Sequence, residues 1–287
     1  MDKTRSKWNS DTHESRVEKL YGTGIEGFHE YHDGYLNFGF WDPPNIPYKE
    51  AAENMVLLLA KKLGLNTSSK LLDVGCGMGT QDIFLTQNFN PLSIDAMDVT
   101  WKHIERGRER ARRSEIGENK LRFHHGTAVS LPFDNETFTH ILSIEAPPHF
   151  DTREDFFREA YRALKPGGVL AISDYSLTRP PKNFLEKFMV EFAGRVWCAP
   201  KENIYGNDVF RNKLENIGFT GISIDNVGEL VIPGYYFEGK RAEARKEAKK
   251  VRGIKGMIGG DILDFAIYTA WKRGLCEYII LRAEKPK

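Results

Sequence analysis

The chain has 287 residues, 40% of them hydrophobic and 28% charged, enough apolar material for one sizeable core with additions or for two small domains. Its 41 basic and 40 acidic residues leave a formal net charge of +1, which gives no electrostatic footprint for nucleic acid or a membrane surface, so a small molecule is the expected partner. Cys76, Cys198 and Cys276 are scattered and lack metal-ligand spacing, the first residues hold no apolar signal-like segment, and no run nears a membrane span; the expectation is a cytoplasmic protein with reduced thiols and no metal.

In chain order, Ser15 to Gly39 mixes charges, aromatics and glycines, and the Pro-rich break "GYLNFGFWDPPNIPY" closes it. Residues 1–68 are expected to form an N-terminal helical cap. Within it, helical spacing of apolar residues predicts a helix from Tyr48 to Leu63, stopped by Gly64. Strands and helices then alternate: "KLLDVG", "TQDIFLTQNF", "LSIDAMD", "TWKHIERGRERARRSEI", "LRFHHG", "HILSIEA", "TREDFFREAYRALKPGG", "VLAISDYS". Such alternation predicts right-handed crossovers and a parallel sheet, hence an α/β, doubly wound fold. After Ser176 the pattern loosens into irregular blocks at about 178–206 and 228–274. These flank a helix, "DVFRNKLENIGF", and a strand, "TGISIDNV", and a last strand lies in "CEYIILRAEKP". The charged run from Lys240 to Arg252 reads as a solvated helix face.

The segment "LLDVGCGMGTQ" delivers a strand into three alternating glycines and then a helix. That arrangement presents bare backbone amides and the positive end of a helix at the C-terminal edge of a parallel sheet, where ligands bind in open α/β folds. The spacing Gly75-Cys76-Gly77-Met78-Gly79-Thr80 does not match the dinucleotide pattern, which needs a third glycine at the Thr80 position. Asp73 suits an ammonium group and the loop amides suit a carboxylate, while Asp98, 19 positions after Gly79, is placed to accept ribose hydroxyls. The expected ligand is an amino acid joined to a nucleoside.

With "LLDVGCGMG", "IDAMDVT", "HHGTAVSLPFDNETFTHILSIEA" and "FFREAYRALKPGGVLAISDY" in this order, the chain resembles the class I S-adenosylmethionine-dependent methyltransferases. The likeness runs from about Lys70 to Tyr175 and is nearest the small-molecule branch of ubiquinone-type, sterol-type, sugar and polyketide enzymes. It implies a Rossmann-like, mostly parallel seven-stranded sheet with an antiparallel last strand, forming a domain at 69–287 with substrate-lid insertions at the two irregular blocks. It also implies S-adenosyl-L-methionine as cofactor, with Asp73, Gly75, Gly77 and Gly79 at the methionine end, Asp98 at the ribose, Val99 on the adenine face, and Thr127 and Ala128 at the adenine edge. Two departures stand out: Gly126-Thr127-Ala128 replaces the usual Gly-Asp-Ala, and Phe138-Thr139 replaces a Phe-Asp pair.

In "SIEAPPHFD", Glu145 matches a residue close to the methionine moiety, and His149 follows Pro147-Pro148, whose fixed φ angles restrict the imidazole. The resemblance pairs a histidine here with an aspartate at the end of the fifth strand, Asp174. The expectation is therefore O-methylation of a small, largely apolar natural product or lipid, with His149 as base and Asp174 as its orienter. C-methylation of an alkene, with Glu145 or His149 removing a proton, is the alternative. A non-catalytic cofactor-binding regulatory protein is the rival from another class. Tyr21, Phe40 and Trp41 are expected to close over the cofactor, and Tyr235, Tyr236, Phe237, Phe265, Tyr268 and Trp271 to line the substrate mouth. Either a monomer or a homodimer is compatible with the sequence.

Overall fold

The computed structural model describes residues 8–22 and 32–287; the parts of the expected cap at 1–7 and 23–31 lie outside the described residues. A seven-stranded sheet has the order β3-β2-β1-β4-β5-β7-β6, from β1 (Lys70–Val74), β2 (Ser93–Asp98), β3 (Leu121–His125), β4 (Phe138–Ile144), β5 (Leu164–Leu177), β6 (Thr220–Asn226) and β7 (Cys276–Glu284). Pairings among β1 to β5 are parallel, and β7 runs antiparallel to both β5 and β6. The chain reverses its direction across the sheet between β3 and β4, so the C-terminal ends of β1 and β4 face a topological switch point, where such sheets bind ligands.

The helices follow from local signals. α1 is His13–Gly22, and α2 is Tyr48–Leu63, which ends where Gly64 adopts a left-handed conformation at φ 71°. α3 (Thr80–Phe89) and α4 (Trp101–Arg113) follow β1 and β2. α5 (Arg153–Ala163) starts at a reciprocal cap in which the Thr152 side chain accepts from the Asp155 amide and Asp155 accepts from the Thr152 amide. α7 (Asn207–Ile217) stops at Gly218.

The two blocks that read as irregular are largely helical. The first holds α6 (Phe184–Val196), whose Asn183 side chain accepts from the Glu186 amide. The second holds α8 (Ile232–Glu238) and α9 (Ala242–Lys272), the latter interrupted at Gly253, φ 68°; its part before Gly253 is the helix that the charged run from Lys240 to Arg252 predicted. Aromatics, glycines and prolines in these stretches masked the helical period.

Both faces of the sheet are buried. One carries the core of Met55, Leu59, Ile94, Ile104 and Tyr278; the other carries Leu72, Phe156, Phe157, Phe210 and Leu281. Every residue of β2 is buried, as a strand covered by helices on both sides requires. Full burial of side chains of this size is worth roughly 1.5–3 kcal/mol each. No helix among the described residues is long and apolar enough to cross a membrane.

The loop from Tyr35 to Trp41 is bolted onto α2. The Tyr48 hydroxyl donates to the Asn37 carbonyl at 2.6 Å, the Phe40 amide to the Ala51 carbonyl at 2.7 Å, and the Gly39 amide to the Asn37 side chain at 2.9 Å. This anchoring holds Leu36 and Phe38 over the ends of β1 and β4 rather than leaving them to solvent.

At the β2–β3 edge, buried Asp95 accepts a forked pair of hydrogen bonds from Arg122, both 2.9 Å, and one from His124 at 2.8 Å. Burial acts to raise its pKa, but the Arg122 fork and His124 outweigh it and bring it down to about 2. A carboxylate depressed in the folded state contributes stability above its unfolded pKa, and that contribution is lost as pH falls through the folded value. Urea unfolding should find Asp95→Asn less stable than the parent at pH 7, with the gap closing between about pH 4 and pH 2. A gap unchanged over that range contradicts this account.

Candidate active site

The switch point opens into a cleft of about 1000 Å³ including its mouth, floored by Gly75, Asp98 and Glu145 and roofed by α1 and the Leu36–Phe38 segment. The glycine loop makes the floor thin. Gly75 and Gly79 have φ of 83° and 70°, and a Cβ would lie 2.2 Å from that of Ala146 at the first and 2.4 Å from the Phe123 ring at the second. Only glycine meets both demands without displacing the neighbour. The loop is stitched to β2, since the Gly75 and Cys76 amides donate to the Met97 carbonyl at 2.7 and 3.0 Å. Neither Gly77 nor Gly79 lines the cleft: the Gly77 amide donates to Asp98 Oδ2 at 2.9 Å, and the Gly79 amide turns back to the Cys76 carbonyl at 3.1 Å.

Asp98 also accepts from the Thr100 amide at 2.7 Å, and His103 Nδ1 lies 3.4 Å from its Oδ1. Burial alone would raise its pKa, but His103 and the two amides hold the carboxyl below its ordinary value. A carboxylate oxygen has further lone-pair capacity, so Asp98 remains able to receive hydroxyl donors. Val99, Thr127 and Ala128 line the next part of the cleft, and the buried Thr100 hydroxyl has no hydrogen-bond partner among the described residues. Thr127 donates to Glu14 of α1 at 3.3 Å. A glycine backbone, an ionised carboxylate and a narrow, partly apolar slot in this order fit an amino acid linked to a nucleoside.

Glu145 sits just past β4 with φ 56°. Its Oε1 accepts from the Phe38 amide and from the Tyr278 hydroxyl, both at 2.7 Å. Burial nevertheless pushes its pKa up to about 8. His149 ends the short 3₁₀ turn Pro147–His149 and lines the same cleft. Its Nδ1 lies 2.5 Å from the Trp197 carbonyl, and its Nε2 lies 2.8 Å from the Tyr21 hydroxyl. A carbonyl only accepts, so Nδ1 carries the proton, and Nε2 presents a lone pair that receives the Tyr21 hydroxyl. Burial pushes His149 down to about 4 against the opposing pull of the Trp197 carbonyl, which keeps the ring neutral near pH 7.

Besides Gly77 and Gly79, four sequence expectations are corrected. Asp174 does not orient His149: it is fully buried behind β5 and pairs with Arg153 Nη2 at 2.5 Å, so the Trp197 carbonyl takes the orienting role. Asp73 does not face the cleft, because its carboxyl lies beneath the loop, accepting from Gln81 at 2.7 Å and abutting Asp82; burial raises the pKa of both acids. Trp41 packs against Gly234, its indole NH donating to the Phe38 carbonyl at 2.8 Å, and Phe40 packs at the edge of the core; neither lines the cleft. The aromatics of the second block also stay out of it: Tyr235 stacks on Phe38 at 3.8 Å, Tyr236 stacks on Tyr268 at 4.4 Å, Trp271 packs against Tyr268, and Phe237 and Phe265 are both 58% exposed.

Tyr21, Val99, Thr127, Ala128, Glu145 and His149 all line the cleft as expected. Leu36, Phe38, Tyr175 and Trp197 also line it and were missed. Aromatic density near "FGFW" and "GRVWCAP" was the available signal, though it did not single out the right rings. Among the described residues, no group of three or more His, Cys, Asp or Glu is arranged to hold a metal ion.

A family model described as a methyltransferase domain matches residues 71–168. The chain is similar to erythromycin 3''-O-methyltransferase of Saccharopolyspora erythraea, at 31% identity over 84% of each chain. It is also similar to 27-O-demethylrifamycin SV methyltransferase of Amycolatopsis mediterranei, at 26% identity over 92% of this chain and 96% of that one. The fold resembles that of geranyl diphosphate C-methyltransferase from Streptomyces coelicolor A3(2), solved with Mg2+, geranyl diphosphate and S-adenosyl-L-homocysteine; the TM-score is 0.73 at 17% identity, covering 97% of this chain and 100% of that one.

A carboxyl with a pKa of about 8 in this cleft is mostly protonated at neutral pH, and a cation brought beside it favours ionisation. Affinity for S-adenosylmethionine should therefore rise between pH 6 and 8, by at most about tenfold per unit. Calorimetry in buffers of different ionisation enthalpy should register proton release, and Glu145→Gln should flatten the dependence. Affinity that does not vary with pH in the parent chain contradicts this.

Proposed function

The chain belongs to the S-adenosylmethionine-dependent methyltransferases that act on small molecules, and from that premise we propose that it methylates a hydroxyl of a largely apolar natural product or lipid, with His149 as the base. When bound, the cofactor supplies the electrophilic methyl group. Gly75 and Glu145 would meet its methionine end, Asp98 its ribose, Val99 and Ala128 its adenine, with Tyr21 and Thr127 closing from above and at the edge.

The observation that carries the reading is the protonation pattern of His149. Its Nδ1–H is committed to the Trp197 carbonyl, so Nε2 carries no proton and holds its lone pair toward the cleft. Tyr21 occupies that lone pair, and an acceptor hydroxyl arriving there takes the place of the Tyr21 hydroxyl. Depression of the His149 pKa does not disable it, because the acceptor's O–H becomes strongly acidic as its oxygen bonds carbon. The proton then moves to Nε2 during transfer, not before it. Alignment supplies most of the acceleration and the base adds about 10²–10⁴-fold. The O-methylating relatives, similar over most of their length, support a hydroxyl acceptor.

Methyl-labelled cofactor offered with macrolide, phenol, terpenoid and sterol acceptors should label oxygen. Label on carbon would favour the alkene reading, and no transfer despite cofactor binding would favour a non-catalytic role. With an active acceptor, His149→Asn should lower kcat by about 10²–10⁴-fold while S-adenosylhomocysteine binding stays within about threefold of the parent, since the Asn side chain removes only the base. With S-adenosylmethionine saturating, so that Glu145 is already ionised, the kcat/KM profile for the acceptor should be flat from pH 6 to 8, with its acid limb near the His149 value of about 4. A loss of kcat smaller than about fivefold contradicts the assignment.

A further inference from the structure

Behind the Trp197 ring lies a second chamber, of about 710 Å³ including its mouth, between α6, α9 and the β5–β7 pair. Pro148, Tyr175 and Trp197 belong to the walls of both spaces, so the chamber abuts the cleft at the residue preceding His149. Protein interiors are close-packed, and an apolar space of this size exists only where side chains leave it. Here they are small: Ala193 and Gly194 of α6 face Ala266 and Ala270 of α9. Gly194 is helical without a left-handed φ, and a Cβ there would meet nothing nearer than 3.8 Å. Its missing side chain is not a backbone requirement.

The polar groups on the wall define the occupant. Among the described residues Arg153 is its one charged residue and is only 3% exposed, but Asp174 neutralises the guanidinium, which also donates to the Asn203 carbonyl. An anionic ligand is therefore not called for. Among the described residues the buried Tyr175 hydroxyl has no hydrogen-bond partner, whereas buried polar groups in folded proteins are nearly always satisfied.

Building on the O-methylation reading, we propose that this chamber holds the body of the methyl acceptor, an uncharged, largely apolar molecule whose own polar group satisfies Tyr175 while its reacting hydroxyl reaches His149 past the Trp197 wall. Gly194 and Ala270 set the size of the acceptor.

The test uses the full chain saturated with S-adenosylhomocysteine and two uncharged probes, the fluorophore N-phenyl-1-naphthylamine and estradiol. The fluorophore should bind alongside S-adenosylhomocysteine and be displaced by estradiol. Gly194→Leu and Ala270→Leu should each weaken fluorophore binding at least about tenfold, a CH₂-rich side chain filling the space it needs. Both should leave S-adenosylhomocysteine affinity within about twofold, which also reports that the variant is folded. Tyr175→Phe should weaken estradiol about fivefold, the loss of one hydrogen bond, with fluorophore binding unchanged. Absence of fluorophore binding, competition between fluorophore and S-adenosylhomocysteine, or parent-like binding by both leucine variants overturns the proposal. If the chamber results hold and no hydroxyl acceptor is methylated, the binding site stands and the O-methylation reading falls.

Discussion

The Glu145 carboxyl joins three parts of the chain that are far apart in sequence. It leaves the end of β4 and receives the Phe38 amide from the N-terminal segment and the Tyr278 hydroxyl from β7, both at 2.7 Å. A buried carboxyl is costly unless it is hydrogen-bonded or protonated, and here both conditions hold. The roof of the cleft is thereby tied to its floor. Leu36 can then lie over Gly77, so the glycine loop is covered from above as well as stitched to β2 from below. On the proposed reading the cofactor's cation meets this same carboxyl, so that cofactor binding and closure of the roof would act on one group.

A second tie runs through Trp197. Its carbonyl fixes the tautomer of His149, and its ring forms the wall between the cofactor cleft and the second chamber. The residue stands at the C-terminal end of α6, where backbone carbonyls have no partner within the helix. An unsatisfied helix end is thus put to use in orienting an imidazole. Asp174, which the motif would assign to that task, is needed elsewhere: it neutralises Arg153, and removing one member of so buried a pair would leave the other uncompensated.

Much of this was legible in the sequence because it rests on local rules. The helix from Tyr48 to Leu63 with its Gly64 stop, the alternation of strand and helix, and the glycines after β1 are each dictated by neighbours in the chain. Placing Asp98 and His149 in the cleft required only that strand ends converge on one edge of the sheet. What escaped was set by distant partners. Asp73 turns to Gln81 and Asp82 one helical turn into α3, Asp174 to a guanidinium from α5, and Trp41 to the bare face of Gly234. The orienter of His149 is a backbone carbonyl, which every residue possesses and no motif marks. In α6 and in the part of α9 after Gly253, aromatic and glycine content concealed helices with large apolar side chains exposed, among them Phe184 at 85% and Ile254 at 55% exposure.

The central claim is that His149 meets its acceptor as a neutral imidazole with a bare Nε2. Nitrogen-15 NMR of the histidine rings in the S-adenosylhomocysteine-bound chain, with His149 assigned by comparison with His149→Asn, tests it directly. The account predicts a proton on Nδ1 alone, unchanged from pH 8 down to at least pH 5.5, because burial holds the pKa near 4. A proton on Nε2, or an imidazolium forming near the ordinary histidine pKa of about 6.5, would contradict it.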